Sequence, residues 1–369
     1  MTTLKKASVL NEAKEHFASN ENTLNFAPHP LLRASAVQTV LAKQLTGQTG
    51  WLTQVEQPVL LDAGPDATGY DERAVRLLGY YVPAHSHERL PSAANGAGQT
   101  AWPQKSRGLV MTLHGWCGCS HSTYNLLLTD ALVRAGYDVF RLNARDHGPG
   151  IHVVPEALNT GVFLGTLIEE TALATHWVAQ MAGAKPFYIV GASMGGNFAL
   201  RLAAHHARSP FPNLRRVIAI SPAISPGTAT DAVDSHPVYR NYFRSRWFKS
   251  LLTKERLYPQ HFDFALLHKM RYVRAMTDWL VRTYTEYAGA DDYFGHYAVT
   301  NEHIDALTAP TTIITAADDH VIPRADFEAL HTHPLLSMHI LPHGGHVGFM
   351  QGFPPRHHLP EMVLGLLDG

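Results

Sequence analysis

Ser193 stands at the centre of a five-residue motif, residues 191–195, with the sequence GASMG. The motif follows a short apolar run at residues 187–190 and precedes a helix-like stretch at residues 197–203. A serine on a sharp turn between a buried strand and a helix holds its hydroxyl clear of the sheet, where it can act as a nucleophile. Serine and glycine also meet in ordinary turns, so a structural turn is the alternative interpretation. The strand–turn–helix order favours the nucleophile.

A nucleophilic serine needs a base that takes its proton and an acid that orients the base. Two later loops, each directly after a predicted strand, supply such groups. The first contains Asp318 and Asp319, and the second contains His343 and His346. Because both loops come after Ser193, the chain order is serine, acid, histidine. Two aspartates and two histidines leave open, at this point, which member of each pair acts.

Donors for a negatively charged intermediate are expected from a third loop. The apolar run at residues 109–113 ends in residues 114–118, with the sequence HGWCG. A His-Gly pair after such a strand bends the backbone so that the next amide points at the nucleophile. We therefore predict an oxyanion hole formed by the backbone N–H groups of Trp116 and Met194.

Two thiols near this loop are a competing source of a nucleophile. Cys117 and Cys119 are separated by one residue, but no histidine and acid are grouped around them in the sequence. Ser193 has a complete set of partners, so we expect both cysteines to be bystanders. Their spacing also excludes a mutual disulfide, which is consistent with a reducing cytoplasmic location.

The elements that must position these residues can be predicted from the pattern of apolar residues. From residue 59 onward, short apolar runs alternate with amphipathic stretches, one of them a helix expected over residues 161–180. This alternation predicts a mostly parallel central sheet flanked by helices. Residues 225–309 interrupt it with helical spacing and many aromatic residues. We predict that they form a helical cap after the sixth strand, whose aromatic side chains line an acyl pocket; helices packed on the side of the sheet are the alternative.

The aromatic side chains expected in that pocket are Tyr239, Tyr242, Phe243, Trp247, Phe248, Tyr258, Phe262, Phe264, Tyr272 and Trp279.

Bulk properties narrow the class of protein further. The chain has 369 residues and a formal net charge of −1, which gives no reason to expect nucleic acid as a partner. No apolar run of about 18 residues occurs, so no transmembrane segment is predicted. The 24 histidines are scattered and form no H-E-x-x-H or related spacing, so we expect no metal site. No cofactor is expected either.

Beyond the single motifs, the chain resembles a known family. It is similar to the YheT-like branch of the α/β-hydrolases, which is related to plant embryogenesis-associated proteins and fungal medium-chain ethyl ester synthase/esterases. The segments that carry the resemblance are residues 26–28 (FAP) with Leu32-Arg33 and Gln38-Thr39, residues 114–118, residues 191–196 and residues 343–349 (HGGHVGF). Ala36 and Val37 depart from the pattern, because the family usually has His and Leu at these positions.

The resemblance implies roles for individual residues. The second histidine of HGGHVGF, His346, corresponds to the catalytic base of the family. Hydrolases of this fold usually carry the acid four residues before a proline, and Asp319 has that spacing to Pro323. Asp318 is then expected to face solvent or to cap the helix predicted near Arg324.

Together these inferences predict an α/β-hydrolase fold with a helical cap. The predicted domains are an N-terminal helical arm at residues 1–50, a core at residues 51–224 and 310–369, and the cap at residues 225–309. The predicted activity is cleavage of uncharged, small-molecule carboxylic esters, short- to medium-chain or lipid-like, through an acyl-enzyme on Ser193. Alternatives are an acyltransferase or alcohol ester synthase with the same triad, and a non-catalytic binding protein. The oligomeric state stays open.

Overall fold

The computed structural model describes residues 24, 26–89, 105–149 and 157–368. Residues 1–23 and 25 of the predicted N-terminal arm lie outside the described residues. So do residues 90–104, 150–156 and 369 of the predicted core.

A central sheet holds the elements together, and within the described residues it has eight strands in the order β1-β2-β4-β3-β5-β6-β7-β8. The strands are β1 (Gln57–Asp62), β2 (Arg76–Val82), β3 (Leu109–Leu113), β4 (Asp138–Leu142), β5 (Phe187–Ala192), β6 (Leu214–Ile220), β7 (Thr311–Ala316) and β8 (Leu336–Leu341). Strand β2 pairs antiparallel with β1 and with β4, whereas the pairs from β4 onward are parallel. A separate short hairpin joins β9 (Met350–Gln351) and β10 (Arg356–His357).

Helices connect the strands and cover both faces of the sheet. The helices before and between the first six strands are α1 (Ser35–Gln44), α2 (Leu52–Val55), α3 (Thr123–Arg134), α4 (Ile168–Met181) and α5 (Met194–His205). Between β6 and β7 lie α6 (Pro226–Ser235), α7 (Pro237–Leu257), α8 (Val273–Tyr284), α9 (Ala290–Gly295) and α10 (Asn301–Asp305). The chain continues with α11 (Arg324–Glu328) and α12 (Leu359–Asp368). Short 3₁₀ helices occur at Pro30–Leu32, Ser86–Arg89 and Ala265–Lys269.

The central strands are buried throughout because both of their faces are covered. Every residue of β3, β4 and β5 is buried. Successive side chains point to opposite faces, so Leu109 and Met111 pack with α4 and α5, whereas Val110 packs with α3 and α12. This arrangement places the carboxyl ends of the parallel strands, and the loops that follow them, at one edge of the sheet.

One predicted helix begins later than expected. The helix predicted over residues 161–180 begins at Ile168, and residues 161–167 form a loop. The backbone N–H groups of this loop have partners outside a helix: Phe163 donates to Asp146 Oδ2 (2.9 Å) and Gly165 to the Tyr293 hydroxyl (2.7 Å). Contacts with the loop after β4 and with the insertion between β6 and β7 therefore hold these residues out of helical conformation.

Half of the aromatic residues predicted to line an acyl pocket instead form a core for the insertion. Phe262, Phe264 and Trp279 pack together, and the same cluster reaches Leu164 in the loop before α4. The prediction that these aromatic side chains line an acyl pocket was wrong, because helices that pack on one another need an apolar interior of their own.

Candidate active site

Ser193 lies on a strained turn between β5 and α5. Its backbone has φ 56° and ψ −118°, a conformation that residues other than glycine rarely adopt. Its N–H donates to the carbonyl of Ile220 (2.8 Å), which holds the turn against β6. A Cβ at Gly191 would lie 2.0 Å from the carbonyl oxygen of Gly195, and one at Gly195 would lie 2.2 Å from that of Leu113. The glycines of GASMG are therefore required by close backbone approach.

The loops after β7 and β8 bring an acid and a base to this serine. His346 Nε2 lies 2.9 Å from Ser193 Oγ, and His346 Nδ1 lies 2.9 Å from Asp319 Oδ2. The other carboxylate oxygen of Asp319 accepts hydrogen bonds from the N–H groups of Val321 (2.7 Å) and Ile322 (3.1 Å). Both the acid and the base are buried, at 8% and 9% exposure, so bulk water competes little for these bonds.

The other aspartate and histidine lie together, away from the serine. Asp318 Oδ1 accepts a hydrogen bond from the N–H of Gly345 (2.9 Å), and its Oδ2 lies 3.6 Å from His343 Nδ1. Helix α11 has Pro323 at its N-cap and no side-chain cap, so of the two roles expected for Asp318, capping this helix was wrong. Asp318 instead braces the loop that carries His346.

The backbone N–H groups of Trp116 and Met194 have the properties expected of oxyanion donors. Met194 is the first residue of α5, where N–H groups have no partner within the helix. No acceptor for either N–H group is found among the described residues. Both residues line a cavity that contains Ser193.

His114 fixes the loop that carries Trp116. Its Nδ1 lies 2.8 Å from the carbonyl oxygen of Gly115, and its Nε2 accepts from the N–H of Ala144 (3.0 Å). Burial, and secondarily the neighbouring His147, lower the pKa of His114 to about 3, so the ring is neutral at physiological pH. A neutral ring with a proton on Nδ1 satisfies both contacts, and it ties the loop after β3 to the loop after β4.

Helix α1 contributes to the site in a way the sequence did not reveal. Thr39 Oγ1 accepts a hydrogen bond from the backbone N–H of His346 (2.9 Å). Gln38 donates to the carbonyl of Met350 (2.9 Å) and accepts from its N–H (2.6 Å). The helix therefore holds both sides of the histidine loop. The Gln38-Thr39 pair belonged to the family resemblance, and that was the signal available for it.

Two cavities meet at Ser193. The first, of about 110 Å³, is mainly apolar and is lined by Phe163 and, from the insertion, by Phe243 and Trp247. Of the ten aromatic residues predicted to line an acyl pocket, Phe243 and Trp247 are the two that line this cavity. The second cavity, of about 340 Å³, contains His346 and is lined by α1, α7 and the loop after β3. The indole ring of Trp116 stacks on Phe243 (centroids 5.5 Å apart) at the boundary between them.

The cysteines are poorly suited to act as nucleophiles. Both are free thiols. Burial raises the pKa of Cys117 to about 12, and burial also raises that of Cys119, so neither is a thiolate near neutral pH. In the part of the chain that the structure describes, no group of three or more His, Cys, Asp or Glu residues is placed to hold a metal ion. No helix within the same residues is both long and apolar enough to cross a membrane.

Comparison with known proteins places the chain in a family. Residues 104–348 match the Hydrolase_4 family, described as serine aminopeptidase, S33. The chain belongs to the Hydrolase_4 family. The resemblance to the YheT-like branch is confirmed by 26% identity over 251 residues with "Putative esterase YheT" of Escherichia coli (strain K12), covering 66% of this chain and 71% of the relative.

A second relative of this Hydrolase_4 member is "Phospholipase ABHD3" of Mus musculus, 23% identical over 261 residues, or 68% of this chain. The match spans 60% of that relative's length. Among solved structures, an esterase of Pyrococcus furiosus, Pf2001, superimposes with a TM-score of 0.50 at 15% identity, covering 86% of this chain and 91% of that one. This likeness confirms the α/β-hydrolase fold. The expected relation to plant and fungal proteins stays a prediction.

Proposed function

We propose that this Hydrolase_4 member is a carboxylic ester hydrolase with Ser193, His346 and Asp319 as its catalytic triad. The observation that carries the proposal is the continuous hydrogen-bonded line from Ser193 Oγ to His346 to Asp319, with both distances at 2.9 Å. A non-catalytic binding protein would have no need of a strained serine aligned with a buried histidine and carboxylate. The esterase and phospholipase names of the relatives agree with ester chemistry.

The reaction proceeds through an acyl-enzyme. Ser193 Oγ attacks the ester carbonyl carbon while His346 Nε2 takes the hydroxyl proton, and Asp319 stabilises the resulting imidazolium. The carbonyl oxygen becomes an oxyanion held by the N–H groups of Trp116 and Met194. One such donor contributes about 100- to 1000-fold in rate. The intermediate then expels the alcohol, which receives its proton from His346. In the second half of the reaction, water attacks the acyl-enzyme while His346 takes its proton, and Ser193 leaves as the proton returns to its Oγ.

The insertion between β6 and β7 acts as a cap in this proposal. Lys254 of α7 joins the insertion to the core through an ion pair with Asp146 (2.6 Å) and a hydrogen bond to the carbonyl of Asn159 (2.5 Å). Phe243 and Trp247, from the same helix, line the apolar cavity beside Ser193. An acyl chain in that cavity is removed from water, with a gain of about 0.8 kcal/mol per buried methylene.

Covalent labelling tests the proposal directly. A fluorophosphonate probe should label the wild-type protein at Ser193, and p-nitrophenyl esters of short and medium acyl chains should be hydrolysed. The Ser193→Ala variant should lose labelling and turnover, whereas Ser209→Ala, the same change at an exposed serine, should retain both. Labelling of Ser193→Ala at the wild-type rate would refute the assignment of the nucleophile. The division of product between acid and transferred ester at rising alcohol concentration separates hydrolysis from acyl transfer.

A further inference from the structure

The cavity that contains His346 has an unusual charge. Its lining includes Lys43 from α1 and Arg246 from α7, and no aspartate or glutamate among the described residues lines it. The two cations lie beside one aromatic ring, with Lys43 Nζ 4.1 Å and the Arg246 guanidinium carbon 5.6 Å from the centroid of Tyr242. The wall of this cavity therefore carries two formal positive charges.

No carboxylate in the part of the chain that the structure describes neutralises these charges. Among the described residues, no carboxylate lies within ion-pair distance of Lys43 or Arg246. Arg246 donates Nε–H to the carbonyl of Cys117 (3.1 Å), and its terminal N–H groups have no acceptor in the described part of the chain. Partial burial, and then the charge of Arg246, lower the pKa of Lys43. Both residues are exposed, so their charges are accessible to an anionic ligand that enters the cavity.

The position of His346 determines which part of an ester occupies this cavity. The proton that His346 took from Ser193 must be delivered to the departing alcohol oxygen, so the alcohol leaves on the side of the imidazole. His346 lines the cavity that contains Lys43 and Arg246, and it does not line the apolar cavity with Phe243 and Trp247. The acyl chain therefore belongs in the apolar cavity and the alcohol in the cationic one.

We propose that Lys43 and Arg246 form a subsite for a phosphate group on the alcohol portion of the substrate, so that the preferred substrates are carboxylic esters of small phosphorylated alcohols. A phosphate monoester carries about −1.5 to −2 charges at neutral pH and matches the two cations, whereas a carboxylate matches one. The inference rests on the proposed function, because it assigns the alcohol side of that reaction. It replaces the expectation of an uncharged ester.

Matched esters test the subsite. The ratio of kcat/KM for the octanoyl ester of glycerol phosphate to that for the octanoyl ester of glycerol is measured in each protein. A ratio within one protein cancels any general change in activity. The wild type should favour the phosphorylated ester, and in the Lys43→Gln/Arg246→Gln variant the ratio should fall by about tenfold, the effect of two partly exposed charges. An unchanged ratio would overturn the proposal.

Two controls sharpen the comparison. Arg256→Gln removes one positive charge from an exposed residue of α7 that does not line this cavity, the same change that the double variant makes at Arg246. Ten residues along a helix are about 15 Å, beyond the Debye length of about 8 Å, so its ratio should stay within about twofold of wild type. The octanoyl ester of 3-hydroxypropanoate carries a carboxylate in place of the phosphate. A preference for it over the phosphorylated ester would overturn the assignment of phosphate.

A binding measurement separates this proposal from the catalytic one. Glycerol 3-phosphate, titrated calorimetrically into each folded protein, should bind the wild type and Arg256→Gln, and binding to the double variant should weaken by about tenfold. Thermal unfolding establishes that the variants are folded. If no ester were hydrolysed and Ser193 were not labelled, the proposed function would fail. The difference in binding between wild type and double variant would still test the phosphate subsite on its own. Equal binding by wild type and double variant would refute it.

Discussion

Replacing Asp319 with asparagine probes the orientation of the His346 imidazole, the proposed catalytic base. The Oδ1 position of Asp319 accepts hydrogen bonds from two backbone N–H groups, so in an asparagine the carbonyl oxygen must occupy that position. The amide NH₂ then faces His346 Nδ1, where Oδ2 now lies at 2.9 Å. An N–H group facing Nδ1 requires a lone pair there, which moves the ring proton to Nε2, opposite Ser193 Oγ. An imidazole in this tautomer is unable to accept the serine proton.

The expected loss follows from the same geometry. In a serine protease the equivalent change lowers kcat by about 10⁴-fold, or about 5.5 kcal/mol in the barrier. Asp318→Asn is the matched control, because its Oδ1 still accepts from the N–H of Gly345 and only the charge near His343 is lost. We expect that control to lose about tenfold or less, or roughly 1.4 kcal/mol.

The assay is steady-state hydrolysis of a p-nitrophenyl ester, combined with the rate of fluorophosphonate labelling and with thermal unfolding. Asp319→Asn should be folded but nearly inactive and slow to label, and Asp318→Asn should keep at least about a tenth of the wild-type activity. The reverse order of activities would assign the acid to Asp318. Equal, small losses in both variants would show that neither carboxylate orients His346.

Three other perturbations give distinct results. Thr39→Val leaves the buried N–H of His346 without its acceptor and should lower kcat about tenfold, whereas Thr39→Ser should restore it; equal rates in the two variants would contradict a role for this bond. Because burial lowers the pKa of His114 to about 3, the unfolded chain takes up a proton first as pH falls. The free energy of unfolding should therefore decrease by about 3 kcal/mol between pH 6.5 and pH 4 through this group. Denaturant titrations at the two pH values should show this part of the decrease in the wild type and not in His114→Asn. The Phe243→Ala/Trp247→Ala variant should lose at least about fivefold of its selectivity for octanoyl over butyryl esters, and Tyr272→Ala, an exposed aromatic of the same insertion, should not; unchanged selectivity would place the acyl chain elsewhere.

The sequence pattern predicted those features that depend on neighbouring residues alone. The strands and their flanking helices follow from alternating apolar segments, and Ser193 follows from a strand, a small-residue turn and a helix in succession. The choice between Asp318 and Asp319 required a family pattern, because adjacent residues in a loop have no periodicity that distinguishes them. Their roles in the structure depend on which one faces a histidine 27 residues away.

Contacts between distant segments escaped prediction altogether. The bond between Thr39 and His346 joins residues 307 positions apart, and that between Gln38 and Met350 joins residues 312 apart. No spacing within either segment records such a partner. The assignment of aromatic residues failed for a similar reason: the aromatic composition of the insertion indicates buried apolar surface, but it does not show that Phe262 and Phe264 pack on each other instead of beside Ser193.

The hydrogen bonds from α1 to the histidine loop show that the segment matching the family differs from the segment that supports the site. The region that matches the family, residues 104–348, contains Ser193, Asp319 and His346 in order, yet α1 at Ser35–Gln44 lies before it. A fragment cut at the family boundary would keep every group that exchanges a proton and lose the acceptor for the N–H of its own base. In this chain, the segment that contains the proposed reacting residues is therefore shorter than the segment needed to hold them in position. Transplanting the site into another hydrolase would require α1 to be moved with it.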